Sequence, residues 1–410
     1  MAGMDIEIRD IDETEFDEFF RLTSLAFGEH PDPKETENER LIFEPERSLA
    51  AFEGTTMVGS TMSATMRMTV PGGDVPLAGV TSVGVAPTHR RRGVLTAMMR
   101  RQIDDIRERG EPVAALYTSE APIYGRFGYG VASFATRTRI ERPYAVVSAE
   151  TEPRRVRLLP REEALAAMPA IYGGVVPTRA GLLQRNEAWW EYRVREVEQD
   201  HHEPKAGKPF FVVSEGPDGP DGYAIYRTKV DWSTGMPNGM LDIAELIGVD
   251  VHAEAALWRY CFGVDLMSRF DAWLRPVDEP LVHMLEDTRR LRRELFDALW
   301  VRLIDVPAAL EARRYATEGS VVFEIHDGFC GWNEQRVELD GGPDGATCRP
   351  SDRSADLIMS AADLGSAYLG GVRLGTLARA GRVDEVTHRA LVRADAMFAW
   401  DQPPWCANYF

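Results

Sequence analysis

The sequence predicts an α+β chain built from more than one domain. Three observations carry that reading. Between Ala78 and Tyr117 a strand, a basic loop, a helix and a second strand follow one another, after a stretch that reads as helix and then hairpin. The strand-then-helix order returns weakly between Leu241 and Ser268. From Trp300 onward the texture changes to short strands closed by two helices. A chain of 410 residues is too long for one ordinary core, so two or three domains are expected.

In order, Ile6 to Arg9 alternates as a short strand. Asp12 to Gly28 reads as an amphipathic helix with Phe16, Phe19, Phe20, Leu22 and Phe27 among its apolar positions; its acidic start suits the helix dipole. Glu29 to Glu46 reads as an acidic loop. Ser48 to Phe52 and Met57 to Val70 form a predicted hairpin about Glu53-Gly54-Thr55-Thr56. Pro71-Gly72-Gly73-Asp74 then turns the chain into the strand Val80 to Val85, with Gly84 as the candidate bulge. After the loop Ala86–Gly93 comes a helix carrying Leu95, Met98, Met99, Ile103 and Ile106 at helical spacing, ended by Gly110. Val113 to Tyr117 is the second buried strand, and a short helix follows it.

The loop holds Arg90, Arg91, Arg92 and Gly93 at a helix start. Cations there oppose the helix dipole, so three together call for an anion. Backbone N–H groups, guanidinium forks and a glycine permitting close approach make a pyrophosphate cradle. Here the segment resembles motif A of the GNAT acetyltransferases, Arg/Gln-x-x-Gly-x-Gly/Ala, written in this chain as Arg90-Arg91-Arg92-Gly93-Val94-Leu95. Its last position is Leu95 rather than a small residue. With Tyr124 after the second strand and an end reading Trp405-Cys406-Ala407-Asn408-Tyr409-Phe410, the whole chain is similar to Eis-type (enhanced intracellular survival) acetyltransferases.

That resemblance implies tandem GNAT-like domains, the first with an intact acetyl-CoA motif and the second degenerate, followed by a sterol-carrier-like domain. The expected spans are 1–145, 146–290 and 291–410. Acetyl-CoA would be the co-substrate, bound at Arg90 to Val94. Backbone groups of Val83 and Val85 would hold the pantetheine, and an N–H near the Gly84 bulge would polarise the thioester. Ser119, just after the second strand, is either a substrate-side residue or a plain strand-end cap.

The second domain keeps the order and loses the chemistry. Leu241 to Val249 is a strand and His252 to Ser268 a helix, but Asp250-Val251-His252-Ala253-Glu254 replaces the arginine–glycine loop. Its acids repel a pyrophosphate. Gly216 to Gly222 is a loop between strands. Pro280 to Leu299 reads as a helical connector whose arginines (Arg289, Arg290, Arg292, Arg293) form a solvated face or salt-bridge partners rather than an anion site. Later strands are expected at Val301–Val306, Val321–His326, Gln335–Leu339 and Asp356–Met359, with helices around Ala361–Leu369 and Asp384–Phe398.

Candidate catalytic groups are few. The resemblance places Tyr124 beside the departing sulfur as general acid, while Tyr129 reads as packing. His89 reads as a polar loop residue, and His201-His202 lack carboxylate company at metal spacing. The tail carries two prolines and three aromatics, each worth roughly 2 kcal/mol of burial, so it should pack against the protein. Plain packing of a hydrophobic tail is one reading; in Eis-type enzymes the terminal carboxylate is the base, and Phe410 matches that position. Desolvation would strengthen it as a base.

Composition narrows the rest. A net charge of −18 argues against a nucleic-acid binder and suits polycationic small molecules. Residues 1–50 carry net −10, whereas residues 89–110 carry net +4, a basic island for an anionic co-substrate beside a cationic acceptor. No apolar run approaches the roughly 18 residues of a membrane helix. The start lacks a signal core and the four cysteines form no CxxC pair, which together fit a cytoplasmic protein without zinc or disulfides. The expected activity is acetyl-CoA-dependent acetylation of primary amines, aminoglycoside-like polyamines leading, by a metal-independent homo-oligomer that is a hexamer in the family. A protein amine as acceptor and a non-catalytic scaffold are the alternatives; the arginine–glycine loop kept in one domain and lost in the other weighs against the scaffold.

Overall fold

The computed structural model describes residues 6–199, 207–233 and 235–410. His201 and His202 lie outside the described residues. The chain forms two compact units: residues up to Ser133 with Asp297–Pro404 and Asn408–Phe410, and Phe134–Phe296 with Trp405–Ala407.

The first unit begins with β1 (Ile6–Asp10), α1 (Phe16–Phe27), α2 (Pro33–Glu39), β2 (Ser48–Glu53), β3 (Thr56–Val70), β4 (Gly73–Val85), α3 (Val94–Glu108), β5 (Val113–Tyr117), the single turn α4 (Ala121–Tyr124) and β6 (Gly130–Val131). A capping box at Asp12 and Glu15 starts the first helical stretch, and Gly28 closes α1 at φ +84°. The stretch expected as an acidic loop contains α2. Asp32 caps it by accepting from the Lys34 N–H and Pro33 fills the first position, signals that outweigh its polar composition. Met98, Met99, Ile103 and Ile106 bury the apolar face of α3 completely.

The second unit contains β7 (Phe134–Glu141), β8 (Arg155–Leu159), α5 (Arg161–Val175), α6 (Glu187–Gln199), β9 (Phe210–Gly216), β10 (Gly219–Lys229), β11 (Gly239–Gly248), α7 (Val251–Gly263), β12 (Met267–Pro276), α8 (Leu281–Met284) and β13 (Arg292–Asp297). Its sheet runs β13-β7-β12-β11-β10-β9-β8. β11 and β12 pair in parallel with α7 between them, the same arrangement as β4, α3 and β5. Three expectations fail here. The loop expected over Gly216–Gly222 is only the two-residue turn Pro217–Asp218, because Gly216 and Gly219 already pair across the β9–β10 hairpin. The helix expected to reach Ser268 stops at Gly263, because Val264 turns extended and Leu266 adopts φ +67°. The predicted helical connector is helical only over Leu281–Met284, and Arg292–Asp297 is an edge strand. Its charged residues read as a helix face, yet a strand paired along one edge can expose both faces. The four arginines are exposed, as expected of a solvated face.

The chain then returns to the first unit with β14 (Leu299–Leu303), α9 (Val306–Glu311), β15 (Gly319–His326), β16 (Gln335–Gly342), β17 (Gly345–Pro350), β18 (Leu357–Ser360), α10 (Ala361–Ala367), α11 (Leu374–Arg379), β19 (Val383–Glu385) and α12 (Ala390–Phe398). The late strands make a sheet ordered β17-β16-β15-β18-β19. β14, expected among them, lies instead between β5 and β6 in the first sheet, ordered β1-β2-β3-β4-β5-β14-β6. The last helix starts at Ala390 rather than Asp384, because Val383–Glu385 pairs with β18. No disulfide joins the four cysteines.

Candidate active site

The β4–α3 connection is held by its polar residues. A single 3₁₀ turn covers Pro87–His89; His89 bonds Thr88 at 2.8 Å and the Glu53 carboxylate at 3.1 Å, the loop role expected of it. Arg90 donates to the Ala26 carbonyl at 2.6 Å, at the end of α1. Arg91 and Gly93 both take left-handed backbone, φ +63° and +86°, and residues 91–93 are exposed. A left-handed residue before a helix turns successive N–H groups to one side, the concavity that anions favour. α3 begins at Val94 with no side-chain cap, so its first N–H groups have no acceptor from within the chain's own cap. Loop, guanidinium groups and helix start fit a pyrophosphate.

The bulge lies one step before the position the sequence suggested. Ser60 pairs with Gly84 and Met62 with Thr81, so Ser82 and Val83 together oppose Thr61, and Ser82 carries the strain at φ +54°. Gly84 serves a different purpose: a methyl there would stand 2.8 Å from the Ala26 Cβ of α1. Val83 in the bulge and Val85 beyond it are half-buried.

β4 and β5 pair in parallel only from Leu77/Val113 to Gly79/Ala115. Past that point β4 runs on to Val85 and β5 to Tyr117 without pairing each other, so the two strands part. Ser119 sits exposed just beyond β5, and Thr118 beside it has a buried hydroxyl with no hydrogen-bond partner among the described residues.

Tyr124 is 6% exposed at the end of α4. Burial, followed by the charges of Glu120 and Tyr409, pushes its phenol up to about 12, so it keeps its proton throughout the neutral range. Tyr129 packs edge-on against it, centroids 6.1 Å apart, and is wholly buried, as its packing role requires.

The tail is buried from Pro404 to Asn408 and again at Phe410, with only Tyr409 half exposed. Within the second unit, Trp405 donates its indole N–H to the Leu274 carbonyl at 2.7 Å and its backbone N–H to Ala180 at 2.9 Å. Within the first unit, Tyr117 meets Tyr409 at 4.8 Å and Phe410 edge-on at 5.6 Å between ring centroids. A methyl on Gly79 would come within 3.3 Å of Phe410 Cε2, so the last ring of the chain lies over the point where β4 and β5 part. Tyr117 was read only as the end of a strand; nothing in its sequence context marks it as the seat of the tail.

In the second unit the corresponding helix start is closed by its own side chain. Asp250 caps α7 by accepting from the Ala253 N–H at 2.8 Å, which puts a carboxylate where α3 offers open donors. Among the described residues no group of three or more His, Cys, Asp or Glu is placed to hold a metal, and no helix is long and apolar enough to cross a membrane.

A family model described as an acetyltransferase (GNAT) domain matches residues 7–132, a second described likewise matches 181–303, and a sterol carrier protein domain matches 306–407. An uncharacterised N-acetyltransferase of Streptomyces coelicolor is 43% identical, the match covering 99% of this chain and all of the relative. The N-acetyltransferase Eis of Mycobacterium tuberculosis is 36% identical over 95% of this chain and 96% of its own length. The crystal structure of Eis1 from Mycobacterium abscessus superposes with a TM-score of 0.86 at 33% identity, covering 98% of this chain and all of that one. With two GNAT modules, a sterol-carrier module and full-length relatives at this identity, the chain belongs to the Eis-type family of GNAT N-acetyltransferases.

Proposed function

We propose that the enzyme transfers the acetyl group of acetyl-CoA to primary amines, with aminoglycoside-like polyamines as the leading acceptor class. The observation that carries this reading is that Tyr117 packs against both Tyr409 and Phe410 where the strands part, with the buried Tyr124 within reach of the Tyr409 charge. Arg91, Arg92 and the open start of α3, from Gly93 to Val94, hold the pyrophosphate, while Arg90 braces the loop against α1. Backbone groups of Val83, Gly84 and Val85 hold the pantetheine and thioester, and Ser119 supports the acyl end. The Phe410 carboxylate takes a proton from the attacking amine, directly or through water. The amine nitrogen forms the new bond to the acetyl carbon, the carbon–sulfur bond breaks, and Tyr124 gives its proton to the sulfur. No covalent enzyme intermediate is needed.

The acceptor preference rests on charge: a −18 protein with its acids concentrated near the start of the chain attracts multivalent cations. A cytoplasmic homo-oligomer, a hexamer by the family resemblance, belongs to the same reading. Thiol release from acetyl-CoA against a panel of amines tests it. Turnover that depends on amine and is fastest with polyamines is expected; hydrolysis alone, or no preference for multivalent acceptors, would overturn it.

A further inference from the structure

Tyr124 stands on an insecure segment. α4 is a single turn, a 3₁₀ turn over Gly125–Phe127 follows, and Gly128 at φ +81° redirects the chain into β6. One helical turn has little stability of its own, yet an acid must be held to within about 0.5 Å of its working position. Something else has to fix this backbone.

The fixture comes from β14, 175 residues downstream. Arg302 is fully buried and donates one guanidinium nitrogen to the Phe127 carbonyl. Its other terminal nitrogen binds Asp327 at 2.6 Å. Asp327 is itself anchored, accepting from the backbone N–H groups of Phe329 at 3.2 Å and Cys330 at 2.9 Å. Phe329 then packs edge-on against Phe127, centroids 5.0 Å apart. At Gly128 any Cβ would collide with the Arg302 guanidinium, so glycine is required there by contact as well as by conformation. A buried ion pair is a poor source of stability, because desolvation offsets most of its attraction, but an effective means of holding one arrangement. Arg302 lies in the apolar strand Leu299–Leu303, where an arginine is costly without a task.

We propose that Arg302, held by Asp327, is a positioning residue for Tyr124: its grip on the Phe127 carbonyl fixes the one-turn helix that aims the Tyr124 hydroxyl at the leaving sulfur. The proposal rests on Tyr124 being the acid, and the test separates the two. Arg302→Lys keeps the charge and loses the fork; Asp327→Asn keeps an acceptor for the Phe329 and Cys330 amides and loses the charge. In each, kcat with acetyl-CoA should fall at least tenfold, KM for acetyl-CoA should stay within twofold, and hydrogen exchange of the peptide 121–131 should accelerate. With S-acetyl-4-nitrothiophenol, whose thiolate departs without protonation, the loss should shrink to under threefold, as it should for Tyr124→Phe.

If Tyr124→Phe keeps its kcat, the acid assignment fails and the proposal with it. If Tyr124→Phe is impaired while both variants retain kcat, Arg302 does not position the acid. Equal losses with both donors would reduce the pair to a structural role and overturn the proposal. Should neither variant fold, the unaltered enzyme still decides: the Gly128 and Tyr129 amides must exchange as slowly as the sheet core, and loop-like exchange would refute a fixed turn.

Discussion

Replacing Tyr124 by phenylalanine isolates the acid from everything else the residue does. The ring is 6% exposed and packs against Tyr129, contacts that phenylalanine keeps. The hydroxyl has no hydrogen-bond partner among the described residues, so its removal strands no buried group, and the melting temperature should move by no more than about 2 °C. Acetyl-CoA affinity should hold, because Arg91 to Val94 are untouched. The rate should not hold: loss of a positioned general acid lowers kcat by roughly 10²–10⁴-fold. The pH profile adds a sign. The acid works only when protonated, and burial pushes its pKa up to about 12. At pH 10 about 1% of it is ionised, against half for an ordinary tyrosine. The wild-type kcat should therefore show no falling limb due to this group below pH 10. The assay is continuous thiol detection at saturating acceptor, on protein of matched melting curve. A variant retaining kcat within threefold, or a wild-type limb near pH 8–9 that the variant lacks, would refute the reasoning.

Three further outcomes follow from the same geometry. Arg91→Ala should weaken acetyl-CoA by about tenfold or more, from 1.5–3 kcal/mol of charge-assisted bonding, and calorimetry should find one site per chain; two sites or unchanged affinity would contradict the cradle. KM for a polyamine should rise with ionic strength while that for a neutral-bodied mono-amine changes little, because screening removes only the multivalent attraction. Gly79→Val should place its side chain against Met66 and Phe410, unseating the last ring; kcat should fall at least tenfold with acetyl-CoA binding retained, and unimpaired turnover would show that the ring's seat is immaterial.

Local signals carried much of this site in the sequence. The arginine–glycine loop, the helix after it, the hairpin before it and the buried tail are each announced by residues a few positions apart, and a motif match needs no partner strand. What the sequence hid is what depends on distant chain. β14 reads like its downstream neighbours, and only the finished sheet places it beside β5. Arg302 was legible at most as an odd cation in an apolar strand, with neither Asp327 nor Phe127 to explain it. The bulge was assigned to Gly84, but the bulge and its positive φ fall at Ser82, while Gly84 is required by the close approach of α1. Arg292–Asp297 misled by composition, since a charged stretch reads as a helix face until an edge strand is seen to expose both of its faces.

The central claim is that the end of the chain is part of the catalytic machinery. The terminal carboxylate follows a buried ring, so any residue added after Phe410 must displace one or the other. Two forms of the enzyme, one extended by a few residues at the C-terminus and one extended equally at the N-terminus, should be compared at matched melting curves and matched acetyl-CoA affinity. The account predicts full turnover in the N-terminally extended form and loss of at least 10²-fold in kcat in the other. Full activity in the C-terminally extended enzyme would contradict it and return the search for the base to carboxylate side chains.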